Sequence, residues 1–140
     1  TERGIEENRL EFFGHTKKTT DHLSHYHSVD IALDSFPYHG TTTTCEAMWM
    51  GCPVVTRAGK VHVSRVGVSL LNAVGIQEFI AETREDYIQK AVDLAGDLNK
   101  LSDLRSTLRE TMKSSVLMNE SVFVRGFEAA LMAALPKLRG

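Results

Sequence analysis

The feature that most constrains the fold is a pair of short apolar runs that flank a helix-forming segment. The first run, residues 29–34, is apolar except for its aspartates, and the second, residues 53–56, begins with a proline. Short apolar runs of this kind favour buried strands. The proline does not contradict a strand, because it is tolerated at a strand's first residue. Between them, the threonines at 41–44 open a helix that Gly51 ends. A strand, a helix and a second strand in this order predict a right-handed crossover and a parallel sheet.

The same alternation continues on both sides of this unit. Residues 9–13 form a short apolar run that predicts a further strand, and residues 21–27 predict a brief helix. A helix is predicted from Val66 to Gly75, an edge strand over 78–81, and helices from residue 83 to the end, the last of them over 121–138. We expect a single, partial α/β domain, with Rossmann-like units over residues 1–82 and a helical tail over residues 83–140.

The composition restricts the classes of partner. The 140-residue chain has a formal net charge of -2, which gives no electrostatic reason to bind nucleic acid or an anionic membrane surface. Its apolar runs are a few residues long, far below the roughly 20 that a membrane helix needs. Cys45 and Cys52 predict buried thiols rather than a disulfide framework. We therefore expect a cytoplasmic protein with no nucleic-acid or membrane partner.

A ligand is expected in the loops that follow the predicted strands. In open parallel sheets, ligands bind beyond the carboxyl ends of the strands, which here means the loops after Phe13, Asp34 and Thr56. The loop after Asp34 has the most polar groups, because it leads through Gly40 into the threonines at 41–44. The N–H groups and partial positive charge of a helix N-terminus bind phosphate without a nearby lysine, and threonine hydroxyls add donors. This loop predicts a phosphate-binding site.

Glu46 lies one turn into the predicted helix. A carboxylate there can accept hydrogen bonds from vicinal hydroxyls, as acidic residues do for ribose in dinucleotide-binding folds. A diphosphate joined to a ribose would use both features. A second interpretation stays open, in which the threonines are ordinary helix caps and Glu46 is solvated, because caps worth about 1 kcal/mol occur in many helices.

Three histidines form an H-x-x-H-x-H pattern. A helix would place His22 and His25 on one face, where two imidazoles could share a metal, whereas His27 would point elsewhere. No cysteine or acidic ligand lies at a suitable spacing. We therefore expect solvated histidines and no metal site.

Several longer motifs carry a resemblance to a known family. They are the 29–34 run, Phe36-Pro37-Tyr38, residues 40–47, Trp49-Met50-Gly51, residues 53–56, 64–67, 69–71 and 79–81, and Leu104-Arg105 and Leu108-Arg109 in the tail. In these motifs the chain resembles the O-GlcNAc transferase and SPINDLY-like family of glycosyltransferases. The resemblance implies a GT-B architecture, in which two Rossmann-like domains face each other and the nucleotide sugar lies mainly on the C-terminal one. This chain would be much of that C-terminal domain.

The resemblance also implies roles for individual residues. By the family's pattern, Thr42 and Thr43, with Thr41 beside them, would hold the diphosphate at the helix N-terminus. Glu46 would take the position of the acidic residue that binds ribose, and His22 would pack against the uracil ring.

The loop before His22 would complete the nucleotide site. Lys17, Lys18 and Thr19 fall in the family's loop that contacts base and ribose. Two positions depart from the family's pattern. The loop position expected to hold a ribose-contacting lysine falls at Thr19, one place after Lys18, and His39 stands where many relatives with the Phe-Pro-Tyr form have asparagine.

The resemblance implies an expected donor, UDP-GlcNAc, and a serine or threonine hydroxyl of a protein as acceptor, with no metal or other cofactor. Related enzymes also use GDP-fucose, so the donor sugar stays open. The family's leaving-group lysine and its other catalytic domain lie upstream of the matched region. We therefore expect no catalytic residue in this chain and no activity of the chain alone. Exposed apolar faces of the tail could promote a homo-oligomer. The alternative function for the chain is a non-catalytic α/β module that binds a nucleotide or a protein.

Overall fold

The computed structural model describes residues 4–138 and shows an α/β chain. Helices and strands alternate along the chain up to β3, and every later element is a helix. In chain order they are α1 Thr19–Ser24, β1 Ala32–Leu33, α2 Thr42–Trp49, β2 Val54–Arg57, α3 Val66–Val74, β3 Ile80–Ala81, α4 Arg84–Gly96, α5 Leu98–Ser114 and α6 Glu120–Leu138. Short 3₁₀ helices lie at Glu7–Arg9, His25–Ser28, His62–Ser64, Gln77–Phe79 and Val116–Met118.

The strands form a parallel sheet in the order β1-β2-β3. Ala32 pairs with Val54 and Thr56 pairs with Ile80, and both pairs of strands run parallel. The predicted parallel sheet and its edge strand β3 are therefore confirmed. Because β1 and β2 are parallel, the loops that follow them leave the sheet at the same edge.

The strand predicted over residues 9–13 is wrong. That segment begins in a 3₁₀ helix and continues without regular structure, and the side chain of Phe12 is 89% exposed. A short strand is stabilised by pairing and by a buried face, and this segment has neither within the described residues. The first strand of the sheet is β1.

The core lies where α2, α3 and α5 pack around the sheet. Its most buried side chains are Met48 of α2, Val55 of β2, Leu71 of α3 and Leu108 of α5. Burial of an aliphatic side chain of this size contributes about 1.5–3 kcal/mol. The core therefore fixes where α2 begins relative to the sheet.

Arg105 of α5 ties the segment before β1 to this core. Its guanidinium donates to the carbonyl of Tyr26 at 3.3 Å and to that of Val29 at 2.5 Å. Its backbone lies so close to Gly51 that a Cβ there would come within 2.6 Å of the Arg105 carbonyl oxygen. The φ of +80° at Gly51 also favours glycine, so the end of α2 and the approach to β1 are both held by α5.

The predicted end of α3 is confirmed, whereas the side-chain caps considered for α2 are not. Gly75 ends α3 as predicted, in the left-handed conformation with φ of 89°. The threonines, however, do not cap α2 with their side chains. The Thr41 side chain makes no cap hydrogen bond, and the Thr44 hydroxyl instead donates to the Gly40 carbonyl at 3.0 Å.

The last helix, α6, projects from the rest of the chain. It was predicted over 121–138 and begins one residue earlier, where the Asn119 side chain accepts a hydrogen bond from the Val122 N–H at 3.1 Å. Its packing against other elements is limited mainly to the preceding 3₁₀ helix. Large apolar side chains are exposed along it, including Phe123, Phe127, Leu131 and Met132. Across residues 4–138, no helix is both long and apolar enough to cross a bilayer.

Candidate functional site

The N-terminus of α2 presents free donors at the carboxyl edge of the sheet. The side chains of Thr41, Thr42 and Thr43 are exposed. Within residues 4–138, the backbone N–H groups of these threonines donate no hydrogen bond to the protein. Unpaired N–H groups together with the helix dipole make this turn able to bind an anion.

Asp34 fixes the residue that leads into this turn. Its side chain is 3% exposed, its Oδ1 accepts a hydrogen bond from the Gly40 N–H at 2.8 Å, and its Oδ2 accepts one from the Thr56 hydroxyl at 2.7 Å. The Tyr87 hydroxyl of α4 donates to the Asp34 carbonyl at 2.9 Å. The end of β1 is therefore bonded to β2, to α4 and to the start of the α2 turn.

Gly40 is required at its position by packing. A Cβ at this residue would come within 2.5 Å of the Thr43 Oγ1 and 2.7 Å of the Thr44 Oγ1. Such distances are shorter than van der Waals contact. The absence of a side chain therefore lets the chain fold closely over the first turn of α2.

A cleft of about 740 Å³ lies beside this turn. It is bounded by the segment before α1, by α1 with the following 3₁₀ helix, and by α2. The lining residues are Phe13, Gly14, His15, Thr16, Lys17, Lys18, Thr19, His22, His25, Tyr26, Val29 and Glu46. Its charged side chains are those of Lys17, Lys18 and Glu46, which leave a net positive charge and suit an anionic ligand.

Two contacts join the cleft to the N-terminal turn of α2. The His22 Nε2 lies 3.1 Å from the Glu46 Oε2, which links α1 to α2. The Tyr26 hydroxyl donates to the Thr43 carbonyl at 3.2 Å, and its ring meets the His22 ring edge-on. The cleft and the N-terminal turn of α2 are thus adjacent and are joined by hydrogen bonds.

Burial raises the pKa of the Tyr26 hydroxyl above its ordinary value of 10.0, and the Glu46 carboxylate and Cys52 raise it further. Tyr26 is therefore protonated at neutral pH and able to donate its hydrogen bond. Burial, with a smaller contribution from Glu46, also raises the pKa of the Cys45 thiol, and burial raises the pKa of Cys52 to about 11. Both thiols are protonated at neutral pH, which does not favour nucleophilic chemistry at either.

The residues predicted from the sequence fall into two neighbouring groups. Thr41, Thr42 and Thr43 form the first turn of α2, counted from its N-cap. Lys17, Lys18, Thr19, His22 and Glu46 line the cleft. The structure thus brings all of them to one side of the chain. Of the two cysteines predicted to be buried, Cys52 is buried and Cys45 is only partly so.

Several residues at this site were not predicted. Tyr26, Asp34 and Thr56 hold the turn, and His25 lines the cleft with a buried Nε2 that has no hydrogen-bond partner among the described residues. Asp34 could have been found as a carboxylate at the end of a buried strand. Tyr26 carries no comparable signal, because its partner lies 17 residues further along the chain.

No cluster of three or more metal-ligating His, Cys, Asp or Glu side chains is present among residues 4–138. The histidines at 22 and 25 have different surroundings. His22 contacts Glu46, whereas the His25 ring packs on Phe13 with centroids 4.4 Å apart.

A parallel sheet with a free helix N-terminus at its carboxyl edge and an adjoining cleft is a Rossmann-like α/β arrangement. The model of glycosyl transferase family 41 matches residues 1–127 of the chain. The chain therefore belongs to glycosyl transferase family 41.

Similar proteins bear names consistent with that family. A protein of Hordeum vulgare named "Probable UDP-N-acetylglucosamine--peptide N-acetylglucosaminyltransferase SPINDLY" is 46% identical over 92% of this chain and 14% of its own length. A Caenorhabditis elegans "UDP-N-acetylglucosamine--peptide N-acetylglucosaminyltransferase" is 32% identical over 93% of this chain and 11% of its own length. The chain thus spans between about one ninth and one seventh of the length of these relatives.

A solved structure has the same fold. The "Thermobaculum terrenum O-GlcNAc transferase mutant - K341M" superposes with a TM-score of 0.84 at 40% sequence identity. The match covers 93% of this chain and 25% of that one. The fold is therefore that of part of a GT-B glycosyltransferase, as expected from the sequence.

Proposed function

We propose that this chain is the donor-binding part of a protein O-linked N-acetylglucosaminyltransferase, and that its donor is UDP-GlcNAc. The observation that carries the proposal is the run of unpaired N–H groups at Thr41, Thr42 and Thr43, next to a cleft that contains His22 and Glu46. A diphosphate needs such donors, and a nucleoside needs an adjoining cleft with a carboxylate for ribose. The names of the relatives support the choice of UDP-GlcNAc as donor.

In this proposal the nucleotide extends from the turn into the cleft. The diphosphate binds to the N–H groups and hydroxyls of the first turn of α2. Glu46 accepts hydrogen bonds from the ribose, for which its Oε1 has no partner among the described residues while Oε2 contacts His22. The His22 ring packs against the base, and Lys17, Lys18 and Thr19, which also line the cleft, border the base and ribose.

The reaction proposed for the whole enzyme is a displacement at the anomeric carbon. A serine or threonine hydroxyl oxygen of a protein forms the new bond to that carbon, the bond to the diphosphate oxygen breaks, and the hydroxyl proton is lost. Negative charge develops on the departing UDP. The role of this chain is to stabilise that charge with donors already oriented before the reaction.

No residue of this chain is assigned to attack or to proton transfer. The proposed site therefore supplies donor binding and leaving-group stabilisation, and we propose that the chain alone is inactive. No metal or other cofactor is needed for the role proposed here, because the charge is met by amide and hydroxyl donors.

The test is calorimetry of UDP and GDP binding to the protein at its full natural length, with Glu46→Ala as the diagnostic variant. We expect UDP to bind more tightly than GDP, and Glu46→Ala to weaken UDP by about tenfold or more, since hydrogen bonds to charged groups contribute about 1.5–3 kcal/mol. The matched control is Glu110→Ala, which removes an exposed carboxylate on α5 that lies outside the cleft. Equal UDP affinity of wild type and Glu46→Ala would overturn the assignment.

One observation supports a second candidate, a non-catalytic module that binds a protein through its tail. The apolar side chains of α6 are exposed over most of its length, including Phe123 and Phe127 with stacked rings. Absence of UDP and GDP binding in a folded protein, together with protein binding that is lost when α6 is truncated, would favour this candidate.

A further inference from the structure

His39 is a buried residue that connects three segments around the anion-binding turn. Its side chain is 0% exposed, and it precedes Gly40 directly. The His39 backbone N–H donates to the Val63 carbonyl at 2.9 Å, its Nε2 lies 3.0 Å from the Arg57 carbonyl oxygen, and the Gly67 N–H donates to its Nδ1 at 3.0 Å. One residue thus joins the end of β2, the following loop and the start of α3 to the loop before α2.

These partners fix the tautomer. A backbone N–H can only donate, so Nδ1 must be the unprotonated acceptor, and the carbonyl of Arg57 can only accept, so Nε2 must carry the proton. The imidazole is therefore neutral. Asp34 Oδ2 lies 3.4 Å from Nδ1, but both atoms are acceptors in this state. Because Nδ1 accepts from the Gly67 N–H, this contact is not an ion pair, and the donor to Asp34 Oδ2 is the Thr56 hydroxyl.

The packing around this network leaves little room for rearrangement. Gly67 has no space for a side chain, because a Cβ there would overlap the Asp34 carboxylate and the Thr56 side chain. Asp34 holds the Gly40 N–H from one side, and His39 holds the preceding peptide from the other. These two residues therefore fix the two peptide groups that directly precede residues 41–43.

We infer that His39 is a positioning residue for the diphosphate of the donor, acting through the backbone of the turn and not by contact with the ligand. The inference rests on the proposed function. Oriented donors lose much of their effect when displaced by about 1 Å. Loss of the Gly67 to Nδ1 bond should therefore affect binding of the diphosphate and leave binding of the nucleoside in the cleft unchanged.

Two substitutions of His39 test the hydrogen bonds of its two ring nitrogens separately. His39→Asn places an amide oxygen near the position of Nδ1 and can still accept from Gly67, whereas His39→Gln places its amide near Nε2 and retains mainly the bond to Arg57. The structural control is Val74→Ala, which removes buried volume at the far end of α3. The measurement is the ratio of UDP affinity to uridine affinity, by calorimetry on the full-length protein, together with the Tm of each variant.

We expect His39→Gln to lower the UDP to uridine ratio by about tenfold with uridine affinity unchanged, and His39→Asn to restore most of it. Val74→Ala should lower the Tm without changing the ratio. If His39→Gln lowers the Tm but keeps the wild-type ratio, His39 only stabilises the fold and the inference is wrong. If the wild-type protein itself binds UDP no better than uridine, the proposed function fails instead, so the two failures can be distinguished.

Discussion

The His22 Nε2 and the Glu46 Oε2 lie 3.1 Å apart, although the two residues are 24 positions apart in the sequence. This contact joins the short helix α1 to the first turns of α2, at the floor of the cleft. It places an imidazole ring and a carboxylate side by side, which is the arrangement that a base and its ribose would need in the proposed nucleotide site.

Two substitutions of His22 should distinguish the contribution of its ring to UDP binding from that of its hydrogen bond. We expect His22→Ala to weaken UDP binding by about tenfold, because stacking of a base on a ring contributes about 1–3 kcal/mol. His22→Phe keeps a ring and should lose less. Calorimetry with UDP measures both variants. His27→Ala, an exposed histidine outside the cleft, is the matched control and should bind like wild type; equal losses in His22→Phe and His22→Ala would argue against packing on a base.

Gly40→Ala should disturb the turn of α2 directly. The added Cβ would collide with the Thr43 and Thr44 hydroxyl oxygens, and overpacking of this kind costs about 1–3 kcal/mol. Chemical denaturation measures the loss of stability, and UDP binding should weaken as well. Gly96→Ala is the matched control, because a Cβ at the end of α4 has no neighbour within 4 Å. A Gly40→Ala protein as stable as Gly96→Ala would contradict the packing described here.

Arg105→Met should destabilise the protein through the segment before β1. The substitution leaves the carbonyls of Tyr26 and Val29 without their guanidinium donor, and a hydrogen bond to a charged group contributes about 1.5–3 kcal/mol. Urea denaturation should show a loss of roughly that size. Lys113→Met removes an exposed ion pair with Glu110 and a cation–π contact with Trp49 at 5.7 Å, and should change stability by less than about 1 kcal/mol. A similar effect of the two substitutions would show that the guanidinium bonds are unimportant.

Stability should fall at alkaline pH through Cys52. Its pKa is raised from 9.0 to about 11 mainly by burial, so the folded state holds the thiol proton more tightly than the unfolded state. This contribution is fully present below pH 9 and is lost as the pH rises toward about 11, with a slope of at most about 1.4 kcal/mol per pH unit.

The measurement is the free energy of unfolding of wild type and Cys52→Ala between pH 7 and pH 11. The variant should be less stable at pH 7, because it loses buried volume, and its stability should decline less between pH 9 and 11. Parallel curves for the two proteins would exclude Cys52 as the cause of the decline.

The sheet and its helices were largely predictable, because hydrophobic periodicity and glycine punctuation are local signals. β2 and α3 lie within one residue of their predicted bounds. β3 covers only Ile80–Ala81 of the predicted 78–81, because the residues before it form a 3₁₀ helix. β1 is shorter than the apolar run over 29–34 because only Ala32–Leu33 pairs with β2. The prediction for residues 9–13 was wrong because an apolar run becomes a strand only where a partner strand and a buried face are available.

The candidate site was predictable only in part. The threonines, His22 and Glu46 were singled out from helix chemistry and from the resemblance, and the structure gathers them. The bonds that hold the turn could not be predicted, since His39 and Gly67 meet across 28 residues and Asp34 and Thr56 across 22. Such contacts depend on the closure of the sheet and leave no periodic trace in the sequence.

Because the first turn of α2 is not capped by a threonine side chain, its residues can be exchanged without loss of a helix cap. The fold does not depend on the side chain of Thr41 as a cap, and the side chains of Thr42 and Thr43 face solvent. Exchanging these residues costs the domain little stability. Loss of stability is the usual obstacle to a new function. Single substitutions at this turn can therefore change ligand preference, while the buried residues beneath it keep the fold unchanged.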